Sequence, residues 1–220
     1  MRHGLAFALL MLPALAACSA IPQAAQRQPV RQSTALFTPE PQARQCLAEL
    51  GHSDAAFMPL PDRYYGAGCS TLNSVRLVSL RSDRADLSLA NLGPVACPLA
   101  NRFAGWARYG VDRAARQILG SPLVRIETMG SYSCRNVAGR DRRSAHATGN
   151  AIDVSGFQLA NGRRITIMGD WNAGPADARQ FLTIIHASAC KRFGTVLGPG
   201  YNLAHRDHLH VELSGSAFCR

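Results

Sequence analysis

The chain has 220 residues, 47% of them hydrophobic and 17% charged, with a formal net charge of +10. Lys191 is the only lysine, so the basicity is arginine scattered along the chain, not gathered into one stripe. That pattern argues against a nucleic-acid partner and for an anionic polymer or membrane surface, although a bias in genome composition explains the arginines equally well.

Residues 1–17 read as a secretion signal. Arg2 and His3 make a short basic start, and Leu5 to Leu15 is an apolar run too short for a stable membrane-spanning helix. It ends Leu15-Ala16-Ala17-Cys18, which resembles the bacterial lipobox, whose cysteine is lipidated and becomes the mature N-terminus. The competing reading is an ordinary signal cut near Ala16-Ala17. Cys18 is thus expected to anchor a lipoprotein in the cell envelope, facing the periplasm. Ser19 after the cysteine points to the outer membrane, by resemblance to Gram-negative lipoproteins. Residues 18–44 hold Pro22, Pro29, Pro39 and Pro41 with few large apolar groups, the composition of a disordered tether. Residues 45–220 suit one domain, divided into an accessory segment (45–96) and a core (97–220).

With Cys18 acylated, six cysteines remain: Cys46, Cys69, Cys97, Cys134, Cys190 and Cys219. None forms a close C-x-x-C pair, so three disulfides are favoured over metal thiolates in an exported chain. Nearest-neighbour closure predicts Cys46–Cys69, Cys97–Cys134 and Cys190–Cys219.

Within 45–96 the signals are modest. A short helix over Cys46 to Leu50 ends at Gly51, and prolines and glycines make the approach to Cys69 a loop. Val75–Leu80 and Ala85–Ala90 read as two strands around Ser82-Asp83, part of an accessory layer stapled on by disulfides. Pro98 opens a helix whose Leu99, Phe103 and Trp106 face the core. Gly110 is expected to break or kink it, and Asp112 to cap a second helix running to Leu119. Leu123–Thr128 is a strand. Asn161-Gly162 joins strands Ala151–Leu159 and Arg163–Met168 as a hairpin turn, Pro175–Cys190 is a helix, and Phe193–Leu197 is a further strand.

The chemistry concentrates in two stretches, Ser144-Ala145-His146-Ala147-Thr148-Gly149-Asn150-Ala151-Ile152-Asp153-Val154 and Asp207-His208-Leu209-His210-Val211-Glu212-Leu213. Read as strands, side chains at i and i+2 share a face. Asp153 and Ser155 then lie opposite Ile152 and Val154, while His208, His210 and Glu212 lie opposite Leu209, Val211 and Leu213. Two imidazoles and a carboxylate on polar faces can converge on one metal ion. Three protein ligands with an open position define a catalytic zinc site, so His146, Asp153 and His210 are the expected ligands of one zinc per domain. His52, His186 and His205 are not expected to be ligands.

Ser-Ala-His-Ala-Thr-Gly-Asn-Ala-Ile-Asp-Val with a later His-Leu-His is similar to the zinc-peptidase fold of D-Ala-D-Ala carboxypeptidases, lysostaphin-type endopeptidases and hedgehog domains. The run from Gly130-Ser131-Tyr132-Ser133-Cys134-Arg135 to Cys219-Arg220 resembles the bacterial extensin-like C-terminal domain family. The resemblance implies an α+β fold, an antiparallel sheet with flanking helices. It implies a zinc metallopeptidase cleaving peptidoglycan stem peptides or cross-links, with peptidoglycan as partner and no nucleic acid. It also implies roles. Asp207, three residues before His210, stands where the carboxypeptidases carry their proton acceptor, and His208 where lysostaphin-type enzymes carry a histidine acting near the transition state. Arg135 is the candidate for holding a substrate carboxylate, in competition with Arg140, Arg142 and Arg143. Hedgehog-type relatives imply the alternative, a zinc-stabilised cell-wall-binding or assembly module with little or no catalysis.

Overall fold

Alternation of period two builds the centre of the molecule. Ile152, Val154, Leu209 and Val211 are wholly buried, whereas the intervening Asp153 and Glu212 are not. The structure, a computed structural model, describes residues 40–215 and 217–220. The expected signal peptide, the lipidated Cys18 and nearly all of the tether lie outside these residues.

The helix α1 (Pro41–His52) is followed by β1 (Ala56–Pro59), β2 (Arg63–Gly66), β3 (Cys69–Thr71), β4 (Ser74–Arg81), β5 (Asp86–Ala90) and β6 (Val95–Ala96). Next come α2 (Cys97–Trp106), a π-helical turn (Ala107–Asp112), α3 (Arg113–Ile118) and β7 (Leu123–Gly130). A 3-10 turn (Ala145–Thr148) leads into β8 (Ala151–Leu159), β9 (Arg164–Thr166), α4 (Ile167–Asp170) and α5 (Ala176–Cys190). The chain continues through β10 (Thr195–Leu197), a 3-10 turn (Leu203–His205), β11 (Leu209–Glu212) and β12 (Phe218–Cys219).

Ten strands form one sheet in the order β1-β4-β5-β7-β8-β11-β10-β12, with β6 on β4 and β9 on β8. The fold is therefore α+β with a mostly antiparallel sheet. The pairs β5–β7 and β10–β12 are parallel. The β5–β7 pair needs a crossover, and α2, the π turn and α3 supply it. Asn161-Gly162 forms the expected turn between β8 and β9, with Gly162 at φ +85°.

The helices cover one face. Phe103, Trp106, Phe157 and Phe181 are fully buried. The Trp106 indole lies about 6 Å from three phenyl rings and donates to the Ile185 carbonyl at 3.1 Å. Burial of each such side chain contributes about 1.5–3 kcal/mol, so this face is the core and the opposite face of β8 and β11 carries polar side chains.

Several expectations are corrected. Residues 45–96 are not a separate layer, because β1, β4, β5 and β6 extend the same sheet. The proposed tether boundary falls inside α1, which Pro41 opens in the first turn. Gly110 does not break its helix. A π turn carries the chain through it, and a Cβ there would stand 2.5 Å from Ser188 Oγ on α5 and 2.8 Å from Trp106 Cδ1. Asp112 is not a cap either. It is wholly buried, accepting from the Leu123 amide at 3.0 Å and from Arg116 Nε at 2.9 Å. The disulfides are Cys46–Cys97, Cys69–Cys134 and Cys190–Cys219, so nearest-neighbour closure holds only for the last.

Candidate metal centre

Three elements meet at the site. In the antiparallel register of β8 and β11, Asp153 stands directly opposite His210. His146 comes from the 3-10 turn before β8, where Ser144 caps the turn and Gly149, at φ +64°, closes it. A Cβ on Gly149 would stand 3.1 Å from the Pro94 carbonyl, so glycine is needed both for its backbone angle and for its space. The spacing from His146 to Asp153 is thus one tight turn plus the first residues of a strand.

His146 Nε2 lies 3.1 Å from His210 Nδ1 and 3.1 Å from Asp153 Oδ2, and His210 Nδ1 lies 2.9 Å from Asp153 Oδ1. The other ring nitrogens are already engaged. His146 Nδ1 is 3.0 Å from the Ser131 carbonyl, and His210 Nε2 is 3.0 Å from Glu212 Oε2. A carbonyl only accepts, so His146 carries its proton on Nδ1. The Glu212 carboxylate likewise accepts a hydrogen bond from His210 Nε2–H. The facing nitrogens are then lone pairs, and the carboxylate adds a third. Three acceptors converging in a nearly dry site need a cation between them.

The metal-free site supplies that charge by protonation. Burial alone would lower the His210 pKa, but the Asp153 and Glu212 carboxylates outweigh it and raise it to about 9. Burial likewise opposes a charge on Asp153, yet the adjacent His146 and His210 imidazoles hold it well below the usual carboxylate range. A metal ion is the other solution. In a tetrahedron with bonds of about 2.0–2.1 Å, donor atoms stand roughly 3.3 Å apart, within a few tenths of the distances here. Nδ1–H to a carbonyl and Nε2–H to a carboxylate are also the outer bonds that orient ligating imidazoles. The donor set fits zinc.

Beside the donors stand His208 and His205. His208 Nδ1 donates to Asp207 Oδ1 at 2.8 Å, and its Nε2 lies 3.6 Å from Asp153 Oδ1. The ring is therefore aimed into the site, with Asp207 behind it. His205, on the 3-10 turn before β11, lies 5.1 Å from the His208 ring and 6.0 Å from that of His210. Burial, then the charges of His208 and His210, push its pKa down to about 4. The Arg135 charge lowers it further. Arg135 belongs to the loop that also carries Ser131, whose carbonyl holds His146. Arg143 is committed elsewhere, to Asn136 Oδ1 at 2.8 Å and the Ala67 carbonyl. Arg140 and Arg142 are exposed on the same loop.

The family model for the extensin-like protein C-terminus matches residues 44–220. The chain belongs to the extensin-like C-terminal family. The match takes in every residue of the site and all three disulfides. No curated protein and no solved structure matches the chain.

Within this extensin-like domain, reading along the sequence missed two partners. Glu212 was identifiable by its place on the His210 face, although an arginine partner was equally open to it. The Ser131 carbonyl had no signal beyond Gly130, whose φ of +114° ends β7 where it pairs with Asp153.

Proposed function

We propose that the domain is a zinc-dependent peptidase of peptidoglycan stem peptides or cross-links, related in fold to the carboxypeptidase, lysostaphin and hedgehog group. The observation that carries this reading is the convergence of three lone pairs from His146, Asp153 and His210, with the independently held imidazole of His208 beside them. Bound by those three residues, zinc supplies a Lewis acid that acidifies a water and polarises a carbonyl.

The chain's own groups do the rest. His208 receives the proton at Nε2, because its Nδ1–H is held by Asp207 and its free nitrogen faces the donors. Asp207 orients that ring and stabilises its charged form. This revises the expectation that Asp207 takes the proton itself. Its carboxylate is engaged by His208, and its side chain is the shorter arm. Arg135 is left to hold a substrate carboxylate from the neighbouring loop. The exported, envelope-anchored location expected from Cys18 would put the domain beside its polymer.

The test is incubation of the zinc-loaded protein with defined muropeptides, followed by chromatography. Wild type is expected to cut. His208→Ala should keep its zinc and lose about 10²–10⁴ in rate, the usual size of a proton-transfer contribution. An unchanged rate in His208→Ala removes the proton assignment. A wild type that binds zinc and cuts no muropeptide removes the peptidase.

A further inference from the structure

A row of aromatic rings leaves the metal centre on its C-terminal side. From His210 the next ring is His205 at 6.0 Å, then Tyr201 at 5.5 Å from His205, then Phe218 at 5.6 Å from Tyr201. Beyond it the Arg220 guanidinium lies 5.9 Å from the Phe218 ring centre. Tyr201 and Phe218 are 44% and 41% exposed, and Leu203 between Tyr201 and His205 is 74% exposed, so the row is open to solvent instead of closing a core.

Much backbone is committed to holding it there. Phe218 and Cys219 pair in parallel with Thr195 and Val196, and Cys219 is bonded to Cys190 of α5. Gly198 N donates to the Arg220 carbonyl at 2.8 Å, and Tyr201 N to the Gly198 carbonyl at 2.9 Å. Exposed rings fixed this firmly beside the candidate metal centre make a surface suited to binding.

Polar groups interleave with the rings. The row carries the Tyr201 hydroxyl, the Asn202 amide, whose Oδ1 accepts from His205 Nδ1 at 2.7 Å, and the exposed guanidinium group of Arg220. A pyranose offers the complement: C–H faces for the rings, hydroxyl and acetamido groups for the amide and phenol, and a carboxylate, where present, for the arginine. An apolar peptide would leave those donors without partners.

We propose that this row is a saccharide subsite, taking an N-acetylated, carboxylate-bearing pyranoside of the glycan strand while the attached peptide lies across His146, Asp153 and His210. The inference rests on the peptidoglycan reading above, but its test involves no bond cleavage. The full-length protein is titrated with the peptide-free disaccharide N-acetylglucosaminyl-N-acetylmuramic acid and followed by calorimetry. Saturable binding is expected. Tyr201→Ala and Phe218→Ala should each weaken it about tenfold, and Tyr201→Trp should retain it. Both side chains are exposed, so zinc content should stay at the wild-type value in every variant and report an intact fold.

No binding by wild type, or binding that neither alanine variant weakens, overturns the subsite. Weakened binding of a sugar-free stem peptide with unchanged disaccharide binding overturns it too, in favour of a peptide groove. Disaccharide binding lost in both variants supports it even in a protein that cuts nothing, and that outcome would remove the peptidase reading alone.

Discussion

The cluster of His146, Asp153 and His210 and the cluster of His186, Cys190 and Cys219 each bring three metal-capable side chains within 4.8 Å of one another. Judged by residue type alone, the cysteine-bearing cluster is the better zinc site, since thiolates are strong ligands. Yet its sulfurs are bonded to each other, with His186 Nε2 4.0 Å from each. Its imidazole is depressed by burial, against a bond to the Arg220 backbone that raises it. Every donor there has another use. In the cluster of His146, Asp153 and His210 the outer nitrogens are engaged and the inner lone pairs face one another. A metal site is recognised by donors left without an alternative, not by a count of histidines and cysteines.

The sharpest way to break this comparison is to remove donors. His146→Ala, Asp153→Ala and His210→Ala should each take zinc from one per chain to none by elemental analysis, whereas His186→Ala should leave one. Loss of the zinc in His186→Ala would reverse the two clusters' roles. A smaller effect is expected one bond further out. Glu212→Gln keeps the shape but weakens the acceptor behind His210, and zinc affinity should fall about 10–100-fold, as for other outer partners of ligating histidines.

Acidity sharpens it further. Below about pH 9 zinc must displace the His210 proton, so apparent affinity should rise about tenfold per pH unit from 7 towards 9. Calorimetry in buffers of different ionisation enthalpy would count the released proton. The metal-free protein should show the opposite slope. A histidine whose folded pKa is raised contributes stability in full below its unfolded value near 6.5, and loses it as pH rises through about 9. The metal-free melting temperature should therefore drop across that window, and the zinc-loaded one should not. The least effect on metal is expected from Cys190→Ala with Cys219→Ala. Zinc stays at one, while a closed loop of 29 residues is lost, worth about 3.5 kcal/mol of stability by the chain-entropy relation.

The site was legible where its logic is local. Strand alternation put Asp153 and His210 each on a polar face, and the family-like His-to-Asp and His-x-His spacings added His146 by resemblance. The long helix ending at Cys190 and the Asn161-Gly162 turn were legible for the same reason. What depended on distant segments was not. Cys46 and Cys69 pair with Cys97 and Cys134, 51 and 65 positions away, because α1 lies on α2 and the β2–β3 hairpin lies on the loop after β7. Asp112 resembled a cap because the continuity of helix through Gly110 depends on how closely α5 approaches. Asp207 stood at a suggestive offset from His210. It precedes β11, however, so its side chain does not follow the strand alternation and turns to its neighbour His208.

The position of β11 inside the sheet has a consequence for how metal and fold are coupled. It is flanked by β8 and β10, and β8 by β7 and β11, so the backbones carrying His210 and Asp153 are each held by two ladders. The entropy of gathering the donors is therefore lost when the sheet forms, not when an ion arrives. A small zinc finger is the reverse case, where the metal drives folding and chelation unfolds the chain. Here a chelator should yield an empty protein with its sheet intact, and reloading should follow the pace of ligand exchange instead of refolding. Such a domain keeps Asp153 and His210 assembled whether or not an ion is bound.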